Sequence, residues 1–219
     1  MDVSNSPSFD DKAAMDFFTT STSNLLMFEV DAEVKHHVAL SIVGIQRMAQ
    51  VGYYRAKIAQ ENLIKESPIP YSIIHATQFF EFAKSIADSA TDAGIIRLAP
   101  IEVQPMAADD VAKAVVRVAE REPINGTVEI GGPEIFTLVE FVQKGLKARN
   151  DPRKVIIDPE ASFFGARLGR TSLLPRDGAR LAGTRFDDWI ADPKNQPAKQ
   201  VSSTNAVESK SELAASAQN

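Results

Sequence analysis

The chain has 219 residues, 44% hydrophobic and 24% charged, with a formal net charge of −5, a balance that suits a packed body with one main core. Its Lys and Arg residues are scattered rather than gathered into a stripe, which argues against a nucleic acid partner. The absence of cysteine excludes a disulfide framework, a thiolate metal site and a cysteine nucleophile, and three histidines leave little for a metal site of another kind.

The N-terminus carries no apolar leader, and no window reaches the ~18 apolar residues of a membrane span, so a cytoplasmic protein is expected. From Ser8 to about Asp31, Phe17, Phe18, Leu25, Leu26 and Phe28 recur at mixed three, four and seven spacings, which predicts a helix or helix pair covering a sheet. His37 to Val43 is a short apolar run ending at Gly44, the pattern of a buried parallel strand, with His36 and His37 expected to be solvated at its start. A helix follows from about Gly52 to Lys65 and must stop before Ser67-Pro68-Ile69-Pro70. Tyr71 to Ala76 reads as a second buried strand.

Thr77 is expected to open a helical segment in which Phe79, Phe80 and Phe82 serve the core. Two short extended pieces follow, near Ile95 to Leu98 and Ile101 to Gln104. The segment from Ala108 to Val116 is helical, with Asp109 and Asp110 as first-turn charges and Val111, Val115 and Val118 as its buried stripe. Thr127 to Ile130 is a strand, and Thr137 with Glu140 forms a capping box for a helix from Leu138 to Ala148. Strands alternating with helices predict an α/β fold with a parallel sheet. Residues 159–192 are expected to pack as an irregular C-terminal segment anchored by Phe163, Phe164, Phe186 and Trp189. Residues 193–219 hold almost no large apolar group and are expected to form a disordered tail.

Tyr53-Tyr54-Arg55-Ala56-Lys57 reads as Y-x-x-x-K. In a helix this places Tyr53 and Lys57 on one face, where a phenol and an ammonium can meet one ligand. A nearby ammonium is expected to lower the tyrosine pKa towards working pH, and Lys57 can also bind a cofactor ribose. Ser41, at the carboxyl end of the preceding strand, can hold a substrate carbonyl beside the tyrosine.

His36 to Gly44, Tyr53 to Glu61 and Pro70 to Phe82, with Val103 to Ala112 and Gly131-Gly132-Pro133-Glu134, resemble the NmrA-like NAD(P)-binding branch of the atypical short-chain dehydrogenase/reductases, from about Asp2 to Ile190. The resemblance implies a Rossmann-like doubly wound parallel sheet over residues 1–158 with a small substrate-side region after it. It makes Tyr53 the acid–base residue, Lys57 its partner and ribose ligand, and Ser41 the carbonyl-orienting hydroxyl. Asn5 and Ser6 would approach the cofactor's inner ribose, and Thr77, Gln78 and Phe79 would line the nicotinamide side. The implied cofactor is NAD or NADP, the choice left open, and the implied partner is a small-molecule substrate, with a homo-oligomer also open.

The chain departs from this family at its front. No glycine precedes Gly44, and no G-x-G-x-x-G or G-x-x-G-x-x-G occurs, although such a turn is what lets the backbone approach a pyrophosphate. Met1 aligns near the family's fourth strand, so on the order of 70 residues of βα units are expected to be missing and the sheet to have an exposed apolar border. Three readings stand: a hydride-transferring NAD(P)-dependent oxidoreductase, a dinucleotide sensor without turnover, and an inactive N-terminally truncated fragment.

Overall fold

The structure, a computed structural model, describes residues 1–195. Helix α1 (Asp11–Asp31) is started by Asp10, whose carboxylate accepts the Ala13 N–H, and it buries Ala14, Phe18, Thr22 and Leu26, one residue per turn. Strand β1 (His37–Ile42) follows, and the chain turns at Gly44, where φ is 74° and a Cβ would lie 2.3 Å from the Ser172 carbonyl oxygen. Only glycine fits both the left-handed backbone and that close approach. Helix α2 (Gly52–Glu66) ends at Ser67, immediately before proline, and leads into β2 (Tyr71–Ala76). Beyond β2 the chain stays extended to Phe79, and the expected helix begins later, as a 3-10 turn at Phe80–Phe82 followed by α3 (Ala83–Ser89).

Strands β3 (Thr91–Asp92), β4 (Ile95–Leu98) and β5 (Glu102–Val103) precede α4 (Ala108–Ala119), β6 (Gly126–Gly131) and β7 (Phe136–Thr137). Helix α5 (Leu138–Ala148) carries the predicted capping box, with Thr137 and Glu140 bonded reciprocally. Strands β8 (Lys154–Ile157) and β9 (Arg180–Leu181) and helix α6 (Phe186–Ala191) complete the elements. β9 comes from the stretch expected to be irregular. The expected tail falls largely outside the described residues; its first three, Pro193–Asn195, form a 3-10 turn.

The principal sheet is parallel throughout, in the order β1-β2-β6-β9. Helices cover both of its faces, as the alternating pattern predicts. Ala39 and Ile73 point towards Leu26 of α1 and Ile64 of α2, whereas Val38, Ile74 and Ile130 pack on Val111, Val115 and Val118 of α4. A second core unites α3, β4, α5 and α6 around Phe80, Phe141 and Phe186. The outer side of β1 is met by Asp2, whose N–H donates to the Val38 carbonyl and whose carbonyl accepts from Leu40 N. Met1, Val3 and Phe9, in and just after that bridging segment, are exposed. Among the described residues no helix is long and apolar enough to cross a membrane, and no group of acidic or histidine side chains is arranged to hold a metal ion.

Expectations for two groups of side chains are also corrected. His37 is fully buried, not solvated, because its Nδ1 lies 2.6 Å from Glu29 Oε2, eight residues back on α1; His36 is half-buried, its Nε2 2.8 Å from Ser72 Oγ. Of the three phenylalanines assigned to the core, Phe80 is buried, but Phe82 is 48% exposed and stacks on the half-buried ring of Phe79, 5.1 Å away at 17°. Phe80 and Phe82 are two positions apart, so either kind of helical turn puts them on different sides, and Phe80 takes the core side.

Candidate active site

α2 runs past the carboxyl end of β1 and presents Tyr53 and Lys57 on one face. The Tyr53 hydroxyl donates to Asn5 Oδ1 at 2.7 Å, and its ring is boxed by Phe9, Phe18 and Tyr54 with centroids 5.0, 5.9 and 5.4 Å away. Lys57 is buried. Its ammonium donates to the Leu40 carbonyl at 2.8 Å and to Gln60 Oε1 at 2.5 Å, and sits 4.8 Å from the centre of the Phe18 ring. Phe18 therefore touches both members of the motif.

The electrostatics differ from the expectation for Y-x-x-x-K. Burial pushes the Tyr53 pKa up, the Asn5 hydrogen bond opposes it only in part, and the phenol stays protonated. Lys57 is held down to about 8 by burial, with the charges of Asp2 and Glu61 pulling the other way. The ammonium is thus spent on neutral acceptors rather than on a tyrosinate.

Ser41 is buried, and its hydroxyl donates to Glu61 Oε1 at 2.5 Å; no hydrogen bond joins it to Tyr53 among the described residues. A serine has one proton to give, so Ser41 can orient a carbonyl only after leaving Glu61. Glu61 also meets His75 Nε2 at 3.0 Å and Lys65 Nζ at 2.9 Å. Burial raises the Glu61 pKa, but His75, Ser41 and Lys65 outweigh it and bring the carboxyl down to about 2.

The remaining site residues divide. Ser6 is buried and turned inward, its Oγ donating to the Ser8 carbonyl at 2.8 Å. Thr77, Gln78 and Phe79 leave β2 at its carboxyl end, beside the end of β1, where Val43 N donates to the Ala76 carbonyl. Thr77 Oγ1 donates to the Gln104 carbonyl at 2.7 Å. Gln78 is buried, and its side-chain carbonyl oxygen has no hydrogen-bond partner among the described residues. No hydrogen bond or ring contact joins this loop to Tyr53 or Lys57 among the described residues. Two surface concavities, one under α6 and one between α5 and β8, are lined without Tyr53, Lys57 or Ser41.

Sequence reasoning missed Asp2, Gln60, Glu61 and His75. Gln60 and Glu61 stand three and four positions beyond Lys57, on the same helix face, and His75 interrupts an otherwise apolar strand; those were usable signals. Asp2 gives none.

No family model and no curated protein matches the chain. Solved structures match it in fold. The Bordetella bronchiseptica enzyme WbmH, solved in complex with NAD+, superposes with a TM-score of 0.63 at 13% identity, over 87% of this chain and 71% of that one. UDP-glucose 4-epimerase from Thermotoga maritima, solved with UDP-glucose, gives 0.58 at 13% identity, over 80% of this chain and 67% of that one. An NADPH-dependent quinone oxidoreductase from Escherichia coli gives 0.51 at 18% identity, over 68% and 57%. The chain thus spans little more than half of the last. At these identities the likeness carries the fold, which is Rossmann-like.

For a nicotinamide dinucleotide, the class of group with which WbmH was solved, the residues present offer hydrogen-bonding groups on one side only. The buried, unpartnered Gln78 oxygen is an acceptor suited to an amide N–H, and Lys57 is a donor suited to ribose hydroxyls. The pyrophosphate half finds no glycine-rich turn anywhere in the sequence.

Proposed function

We propose that this chain carries the nicotinamide-side half of an NAD(P)-dependent oxidoreductase site of the NmrA-like type, and that it reduces a small carbonyl or quinone. The single observation behind this reading is that the Tyr53 hydroxyl, pointed at Asn5 Oδ1, shares one face of α2 with Lys57 at the carboxyl end of β1, where ligands of open α/β sheets bind.

The bound cofactor would supply the hydride. Everything else falls to the chain. Lys57 and Asn5 would hold the ribose, and Gln78 the carboxamide. Tyr53, kept protonated by burial, is suited to giving its Oη proton to a substrate oxygen that replaces Asn5 Oδ1 as the acceptor. The protonated phenol is the form a reduction needs, because the oxygen that develops charge takes its proton. Phe9, Phe18 and Tyr54 pack around the Tyr53 ring, while its hydroxyl lies in an exposed hydrogen bond that a substrate can reach.

NADPH oxidation against a panel of quinones and carbonyls tests this reading. The wild type should turn over at least one of them, and Tyr53→Phe should lose about a hundredfold or more in rate with nucleotide binding kept. Equal, near-zero rates with binding retained in both would instead favour a dinucleotide sensor. Absence of binding in both would overturn the reading.

A further inference from the structure

Lys57 is a buried cation without a carboxylate in direct contact among the described residues. Its two hydrogen-bonded partners, the Leu40 carbonyl and Gln60 Oε1, are neutral, and a Phe18 ring face lies alongside. Such a group is costly to keep charged unless a countercharge reaches it. Two carboxylates face it: Glu61 from α2, already engaged by Ser41, His75 and Lys65, and Asp2 from the segment outside β1. Asp2 connects through a single amide. Gln60 Nε2 donates to Asp2 Oδ2 at 2.8 Å while Gln60 Oε1 accepts from Lys57. The amide's orientation is forced, because a carboxylate only accepts and an ammonium only donates. Asp2 itself is immovable: it is buried, its backbone is bonded twice to β1, and its Oδ1 accepts from Ser4 N at 3.0 Å and Ser4 Oγ at 2.6 Å.

We propose that Asp2 and Gln60 are positioning residues for Lys57: the Asp2 carboxylate, relayed through the Gln60 amide, keeps the buried ammonium protonated and fixes two of its N–H groups, leaving the third for a ligand hydroxyl. The ligand part of this rests on the function proposed above; the relay does not. A chain of two hydrogen bonds polarises the amide, so each link strengthens the other. Removing the charge at Asp2 therefore weakens the Lys57–Gln60 bond without touching either residue.

The test is an NMR titration of Lys57 with the lysine side chains isotopically labelled, on the full chain without ligand. Asp2→Asn keeps the size and an acceptor but removes the charge, and Gln60→Leu cuts the relay while leaving Asp2 in place. Each should lower the Lys57 pKa by about one unit, a tenfold loss in proton affinity, and the double variant should lose no more than the larger single. Loosening of the fold moves Lys57 the other way, towards the value of an exposed lysine, so the expected sign cannot come from damage. Gln60→Glu, which puts a carboxylate on the ammonium, should raise the pKa. An unchanged or raised value in Asp2→Asn, or additive losses in the double variant, would overturn the relay. Binding of reduced nicotinamide mononucleotide, measured separately, should weaken about tenfold in Asp2→Asn. If no nucleotide binds to the wild type while the titrations behave as expected, the proposed function fails and the relay stands.

Discussion

Glu61 shows at the scale of one residue how this chain keeps buried charge. Its side chain is 2% exposed, yet its carboxyl sits near 2 because Ser41, His75 and Lys65 converge on it. The folded pKa is below the ordinary glutamate value, so the stabilisation is full above about pH 4.5 and is lost as pH falls from there to about 2. A shift of that size corresponds to on the order of 3 kcal/mol. Glu61→Gln should therefore cost roughly 2–3 kcal/mol at pH 7 and much less at pH 3, read from urea unfolding at both values. An equal cost at both would mean that packing, not charge, is what Glu61 supplies. The sequence held part of this, since Gln60 and Glu61 continue the buried face begun by Lys57. It could not show that His37 pairs with Glu29 or that Asn5 meets Tyr53, because such partners are set by how α1 and the N-terminal segment dock, not by any local pattern.

At the scale of elements, the legible ones were those whose signals are local. β1 and β2 are mainly apolar runs, α2 is stopped before Pro68, and α5 has its capping box. β9 was not legible, because Arg180–Leu181 is exposed and becomes a strand only by pairing with Ile130–Gly131. The α3–α5 contact is similarly hidden. Gly145 lies mid-helix, where alanine would gain about 1 kcal/mol in helix propensity, yet a Cβ there would stand 2.6 Å from Ala83 Cβ. Overpacking should win. Gly145→Ala is expected to destabilise by about 1–3 kcal/mol, and adding Ala83→Gly should recover a large part of it by removing the clashing methyl. Thermal melts of the two singles and the double measure this, and a stabilised Gly145→Ala would show that the helices part without cost.

At the scale of the whole molecule, one sheet carries the site, and its two faces are closed by helices in the manner the alternating sequence predicts. Tyr53 and Lys57 share one face of α2, Asn5 meets the Tyr53 hydroxyl, Gln78 follows the carboxyl end of β2, and the sequence offers no glycine-rich turn of the kind that grips a pyrophosphate. The half-site proposed above has a quantitative signature. Under that proposal a ligand that ends at the first phosphate keeps every contact that these residues would make, so the adenosine part of a dinucleotide should add nothing.

The most direct test is calorimetric titration of the protein with reduced nicotinamide mononucleotide and with NADPH, in parallel on the wild type and Lys57→Met. The two ligands should bind the wild type with dissociation constants within about threefold of each other, and Lys57→Met should weaken both by about tenfold or more. NADPH binding tenfold tighter than the mononucleotide, or affinities that ignore the loss of Lys57, would contradict the account.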